Sequence, residues 1–355
     1  MKMTRKAVRG RTLKALFANL IAMATLVMGV VTYSVSEDRG TLVRNSLIAQ
    51  RAIPQDFSWM PDNVPPGFLL ESLRPPDIFE EVADAILEGA SADGLPALER
   101  AKRIVEHLNQ KTGDGQSIQK DLTTTYYLVT NNGQGYCADY TQTFIALAHA
   151  MDVDVREWGL GFGGFGAGHA FNEIYSPEYG KWIFIDPFHS FYALDKSSGE
   201  PLSVEEFRNR VATEAPAPPT IVPIGEDRFR FKSEAAAVQY YARAANFFYM
   251  FWGNNVYEYD ESQLIKSVGR FSRSAELLAA IAVGKYPRIL LLETGTNRLA
   301  IREITRLRFT LFASLGVFVV LSALLVYQIL VLVGKGSWPA LGSTQGSVGG
   351  ATAKL

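Results

Sequence analysis

Cysteine and histidine are the scarce residues of this 355-residue chain, with one of the first, Cys137, and four of the second. A single thiol excludes an internal disulfide framework and a Cys-rich metal site, and four histidines leave little for a His-based one. Net charge is nearly absent as well. The chain has 35 Lys and Arg against 36 Asp and Glu, a balance of -1, so no global field is available to grip nucleic acid or an acidic polymer. Bulk disorder is excluded by the 48% hydrophobic share, and the length allows two or three compact units.

Long apolar runs are what the chain does have. Residues 15–35 and 309–333, stretches of 21 and 25 residues without a charge, hold 36 apolar residues among their 46. Each is long enough as a helix to cross about 30 Å of hydrocarbon. The rest of the chain then has an ordinary globular composition. Residues 1–14 carry Lys2, Arg5, Lys6, Arg9, Arg11 and Lys14 and no acid, a flank expected to stay in the cytoplasm. Ser34-Val35-Ser36 resembles a signal-peptide cleavage site, but the apolar run exceeds the usual hydrophobic region of roughly 7 to 15 residues, so an uncleaved anchor is the preferred reading.

Two spans put both termini in the cytoplasm and residues 36–308 outside, on the periplasmic face if the membrane is a bacterial inner one. Arg298, Arg302, Arg306 and Arg308 argue against this, because they flank the second span on its outer side while only Lys335 and Lys354 follow it. The N-terminal signal is given priority, since charge bias acts weakly across long translocated domains. Arg298, Arg302 and Arg306, spaced by four, would form one helical row able to snorkel to lipid headgroups.

Between the spans, residues 36–76 read as a linker, with six prolines from Pro54 to Pro76. A folded domain is expected over 77–212. Within it Leu98, Ala101, Ile104, Val105 and Leu108 form one helical stripe, residues 123–130 have the β-branched and aromatic content of a short strand, and residues 137–151 are helical again. Residues 169–175 and 182–186 alternate around turn-forming residues 176–181, the pattern of a β-hairpin. A second proline-rich linker is expected over 213–223, then an aromatic-rich helical extension over 224–308 with a helix at 233–252, and a disordered tail over 334–355. The aromatics of that helix, Tyr240 and Tyr241 among them, read as core or interface packing.

The glycines of 159–168 match a GxGxxG pattern, but a strand follows them where a dinucleotide site needs a helix, so they read as a pliant loop. Cys137 opens a helix directly after Gly133-Gln134-Gly135-Tyr136, where unsatisfied N–H groups and the positive dipole end favour a thiolate. Its alternative is a buried structural cysteine. Among the histidines, His149 lies 12 residues further along the same helix, about 18 Å away along its axis, and cannot serve Cys137. His107 reads as a surface residue, and His189, in the loop after Pro187, is the second choice of base. His169 opens the first hairpin strand. If the loop is centred on Pro177 and Glu178, Glu173 faces Trp182, Phe171 faces Phe184 and His169 faces Asp186, close enough for the carboxylate to orient the imidazole. A one-residue slip would send Asp186 to the other face. A satisfied core histidine is the alternative for His169.

Gly135-Tyr136-Cys137-Ala138-Asp139-Tyr140, Gly168-His169-Ala170-Phe171-Asn172-Glu173 and Trp182-Ile183-Phe184-Ile185-Asp186-Pro187 together resemble the core of the transglutaminase-like superfamily. The resemblance covers about residues 95–190. It implies an α+β, papain-like fold in which the helix carrying the cysteine packs on an antiparallel sheet carrying the histidine and the acid. It also implies Cys137 as nucleophile, His169 as base and Asp186 as orienter. Phe171 stands where many members have Trp, and Phe188 where a Thr often follows the Asp-Pro pair. No acidic loop of the EF-hand kind is present, so calcium is not implied, and no other cofactor or metal is. For the oxyanion, the Cys137 N–H and Gln134 are the candidates, with Asn131 and Asn132 competing.

These readings describe a membrane-anchored cysteine enzyme acting on an amide or peptide bond of a protein or peptide substrate through a thioester, which water or an amine resolves. They leave open which of the two resolves it. The competing expectations are a catalytically silent binding or scaffold module of a membrane complex, partnered by other membrane proteins, and a redox-sensing cysteine. Nucleic acid is not an expected partner.

Overall fold

The computed structural model describes residues 5–87, 94–111, 113, 115–116, 118, 120–212, 217–270 and 273–334. The chain runs through helix α1 (Arg5–Ser34), helix α2 (Glu37–Ile48) and strand β1 (Ala49–Ala52), then helices α3 (Asp77–Leu87), α4 (Ala97–Leu108), α5 (Leu122–Asn132) and α6 (Cys137–Ala150). Strands β2 (Val155–Gly161), β3 (Gly168–Ser176), β4 (Lys181–Asp186) and β5 (Phe191–Leu194) follow. Next come α7 (Val204–Val211), β6 (Thr220–Pro223), α8 (Glu234–Ala242) and β7 (Phe248–Phe251). The short helices α9 (Tyr257–Glu261), α10 (Gln263–Gly269) and α11 (Arg273–Ala282), strand β8 (Ile289–Leu292) and helix α12 (Arg298–Gly334) complete the order.

The chain divides into two units, residues 36–308 and a second made of residues 1–35 and 309–355. In the larger unit one eight-stranded sheet has the order β1-β8-β7-β2-β3-β4-β5-β6. Every pairing is antiparallel except β1 with β8. The fold is therefore α+β, as expected. Alternation along the strands splits the core. Val155, Ile174, Ile183 and Ile185 pack under α3 to α6, and the expected stripe on α4 is buried there. Trp158, Leu160, Phe171, Phe184 and Met250 face the other way, against Phe207 of α7 and Tyr241 of α8. A smaller cluster joins Ile289 and Leu291 of β8 to Ile48 of α2 and to Ile301 and Ile304 of α12.

Several expectations are corrected. Residues 123–130 are helix, not strand, because Asp121 caps the first turn, accepting from the Thr124 N–H at 2.9 Å, and Gly133 (φ 65°) ends it in the left-handed region. Tertiary packing overrides their β-forming composition. The aromatic segment 233–252 is not one helix. It breaks after Ala242 and its Phe248–Phe251 part is β7, a strand buried at every position and paired on both sides. The segments read as linkers also contribute to the sheet, β1 from 36–76 and β6 from 213–223, so the sheet extends well beyond the central hairpin.

Two stretches, Arg9–Ser34 and Arg298–Val333, contain helix long and apolar enough to cross a membrane. Asn19, a polar residue on the first, donates to the Leu321 carbonyl of the second at 2.9 Å.

Candidate active site

Helix α6 begins at Cys137 because Asp139 caps it, accepting from the Tyr136 N–H at 2.8 Å. The sulfur is half-buried and opens on a cavity of about 750 Å³. His169, Phe188, His189 and Tyr240 line the same cavity.

The hairpin that carries His169 and Asp186 is offset by two residues from the expected register. Glu173 faces Phe184, Tyr175 faces Trp182 and Ser176 faces Lys181. The loop holds four residues, Pro177 to Gly180, and closes with the Gly180 N–H donating to the Pro177 carbonyl while Gly180 takes φ 61°. An even offset preserves the face of every side chain. Asp186 therefore stays on the His169 side as a diagonal neighbour, and His169 Nε2 lies 2.7 Å from Asp186 Oδ2.

Asp186 is fully buried and accepts five hydrogen bonds. The Phe188 and His189 N–H groups donate to Oδ1 at 3.0 and 2.9 Å. His169 Nε2, His189 Nδ1 (2.8 Å) and the Tyr241 hydroxyl converge on Oδ2. Burial alone would raise its pKa, but the two imidazoles outweigh burial and hold it well below the usual carboxylate range. For His169, burial works to lower the pKa, while the charges of Asp186 and then Cys137, with a hydrogen bond donated to each, push it up to about 10. His189 goes the other way: burial lowers it, and the neighbouring His169 adds to the effect against Asp186. One imidazole of the pair thus holds its proton and the other is neutral. Burial and the adjacent Asp186 drive the Tyr241 pKa well above its ordinary value, so its hydroxyl remains a donor.

His169, Asp186 and His189 have ligand atoms within 4.8 Å of one another, a spacing that a metal ion could use. Both facing imidazole nitrogens are bonded to the same carboxylate oxygen, however, and a cation would have to displace both. The donor set is that of a hydrogen-bonded network.

The structure brings Cys137, His169, Asp186 and His189 together. Gln134 is half-buried but does not line the cavity, and Asn131 and Asn132 are exposed at the end of α5. His149 is engaged elsewhere, with the Asn254 carbonyl at 3.1 Å, and His107 lies half-buried beside the Tyr126 hydroxyl at 3.0 Å. The departures at 171 and 188 keep aromatic surface at the site, since Phe171 stacks on His169 with ring centres 5.9 Å apart and Phe188 lies 6.1 Å away. Tyr241 is the site residue that sequence reasoning missed. It sits 55 residues from its partner on a helix whose aromatics all look like packing.

Residues 80–187 match the family model of the transglutaminase-like superfamily, so the chain carries a transglutaminase-like domain. No curated protein and no solved structure gives a significant match.

Proposed function

We propose that the chain is a membrane-anchored cysteine enzyme that cleaves or transfers the acyl group of an amide or peptide bond. The observation that carries the reading is that His169, paired at 2.7 Å with the buried Asp186, lines the same cavity as Cys137. In this reading the His169 imidazolium supplies a positive countercharge for the sulfur anion. Cys137 Sγ bonds to the carbonyl carbon, the C–N bond breaks, and the leaving amine takes its proton from His169. Water or an amine then attacks the thioester, losing a proton to His169 as the C–S bond breaks. The N–H groups of the first turn of α6, that of Cys137 first, are the donors proposed for the oxyanion, because a helix start leaves them without intrahelical partners.

Asp186 orients the ring, while Tyr241 and His189 fix Asp186 from the far side. The two apolar helices anchor the domain, with the body on the extracytoplasmic face and both termini cytoplasmic. Protease treatment of intact spheroplasts tests that orientation, and a protected body would contradict it. The chemistry is tested by trapping with an electrophilic amide mimic. A mass adduct on Cys137 that disappears in Cys137→Ala and is slowed in Asp186→Asn is expected, whereas equal labelling in wild type and Asp186→Asn would remove the role of the pair.

A further inference from the structure

The cavity that reaches Cys137 continues along α6 to a second set of groups that the acyl-transfer reading does not use. Its far wall is Glu157 of β2, Gln142 of α6 and Arg44 of α2, with Tyr249 of β7 and Tyr286 beside them. Glu157 is 4% exposed. A buried carboxylate ordinarily collects several donors or a direct cation. Among the described residues, however, the Gln142 amide is the one hydrogen-bond donor to Glu157. Arg44 feels the Glu157 charge, yet the two form no ion pair among the described residues; the Arg44 side chain is hydrogen-bonded to Tyr286, and its Nε donates to Asn45 Oδ1 at 3.0 Å. A guanidinium and a buried carboxyl group thus line one cavity without pairing with each other.

The surroundings keep this space open. On the sheet face that carries Glu157, the neighbouring position is Gly159, where a Cβ would come within 2.6 Å of the Tyr249 ring. The aromatic ring lies across the glycine and forms a flat wall. Burial raises the Glu157 pKa to about 8, with Arg44 and Gln142 only partly offsetting it, as expected for a carboxylate short of a cation.

We propose that Arg44 and Glu157 form a subsite for the zwitterionic α-centre of an amino acid, its ammonium group held by the Glu157 carboxylate and its carboxylate by the Arg44 guanidinium. A ligand with both charges on one carbon meets Glu157 and Arg44 at once, neither of which has a counter-ion among the described residues, whereas a simple cation or anion satisfies one and faces repulsion from the other. Gln142 and Cys137 are five residues apart on α6, about 7.5 Å along its axis. They lie roughly 140° apart around that axis, and both line the one cavity, so an amino acid seated beside Gln142 shares that cavity with the Cys137 side chain. The assignment names a substrate class for the site and in that respect rests on the acyl-transfer reading, but the binding itself does not require turnover.

The test is calorimetric titration of the full chain carrying Cys137→Ala with L-lysine, Nα-acetyl-L-lysine and L-lysinamide. Free lysine is expected to bind, and blocking either charge of its α-centre to weaken binding at least tenfold, about 1.4 kcal/mol. Glu157→Gln should erase the preference over the acetylated ligand, and Arg44→Met the preference over the amide. Equal binding of the three ligands to the Cys137→Ala chain, or no saturable binding of lysine below about 10 mM, would overturn the subsite whether or not either further variant folds. Because the nucleophile is absent, failure here leaves the Cys137 chemistry untouched, and failure of Cys137 trapping leaves this result standing.

Discussion

Strand β3 carries one residue of each of two buried polar networks on a single face, and the two differ in what their partners can do. Glu173 is held by Arg156, with Nε at 3.1 Å and a second bond from Nη2, and also by the Trp158 Nε1 at 2.8 Å and the Val204 N–H at 2.9 Å. Arg156 in turn lies 3.8 Å from the ring centre of Trp182. Arginine stays charged across the whole accessible pH range, and both members of the pair are sealed from solvent. Four residues before Glu173 on the strand, His169 binds Asp186, whose other side-chain partners are the His189 imidazole and the Tyr241 hydroxyl, and the two imidazoles border a cavity. The first network is built to stay fixed. The second keeps the same degree of burial but replaces the permanent cation with imidazoles, which is what a site that passes protons requires.

Changing one member of each network should therefore have opposite signatures. Asp186→Asn removes the acceptor that orients His169 and should slow reaction of Cys137 with an amide-mimicking electrophile by about 10²- to 10⁴-fold, with the far-ultraviolet circular dichroism retained. Arg156→Met leaves the Glu173 charge buried without its partner and should cost about 3–5 kcal/mol of stability in denaturant unfolding, while the fraction that remains folded reacts at the wild-type rate. A smaller effect is expected from Gly159→Ala. Its new methyl must displace the Tyr249 ring, which should cost about 1–3 kcal/mol and narrow the far end of the cavity without slowing Cys137 alkylation.

The pH dependence of stability separates the networks further. The folded pKa of His169, about 10, lies above the value of about 6.5 for an unfolded histidine. Its contribution is therefore complete below about pH 6.5 and fades as the pH rises toward 10. The stability difference between wild type and His169→Gln should shrink across that window, whereas the difference between wild type and Arg156→Met should stay flat across it. An unchanged His169→Gln difference from pH 6.5 to 10 would contradict the assigned protonation.

How much of this was legible beforehand depended on sequence separation. Cys137 at a helix start, His169 and Asp186 on two arms of one hairpin, and the α4 stripe are local patterns, and local spacing places them. The register was misjudged by two residues because the loop closes on Gly180 in the left-handed region rather than centring on Pro177 and Glu178. The parity survived, and with it the His169–Asp186 contact. Residues 123–130, rich in β-branched residues, and 248–251, rich in aromatics, both have strand-forming composition yet become a helix and a strand, because a cap at Asp121 decides one and pairing with β2 and β8 decides the other. Tyr241 reaches Asp186, and Arg44 reaches the cavity, from elements far along the chain, and no local pattern marks them.

The rate of Cys137 alkylation by iodoacetamide at neutral pH, compared between wild type and His169→Gln, tests the central claim most directly. Activation of the sulfur by His169 predicts a rate at least about tenfold lower in the variant, with the far-ultraviolet circular dichroism retained. Equal rates in wild type and a folded His169→Gln would show that Cys137 is not activated by His169 and would contradict the account.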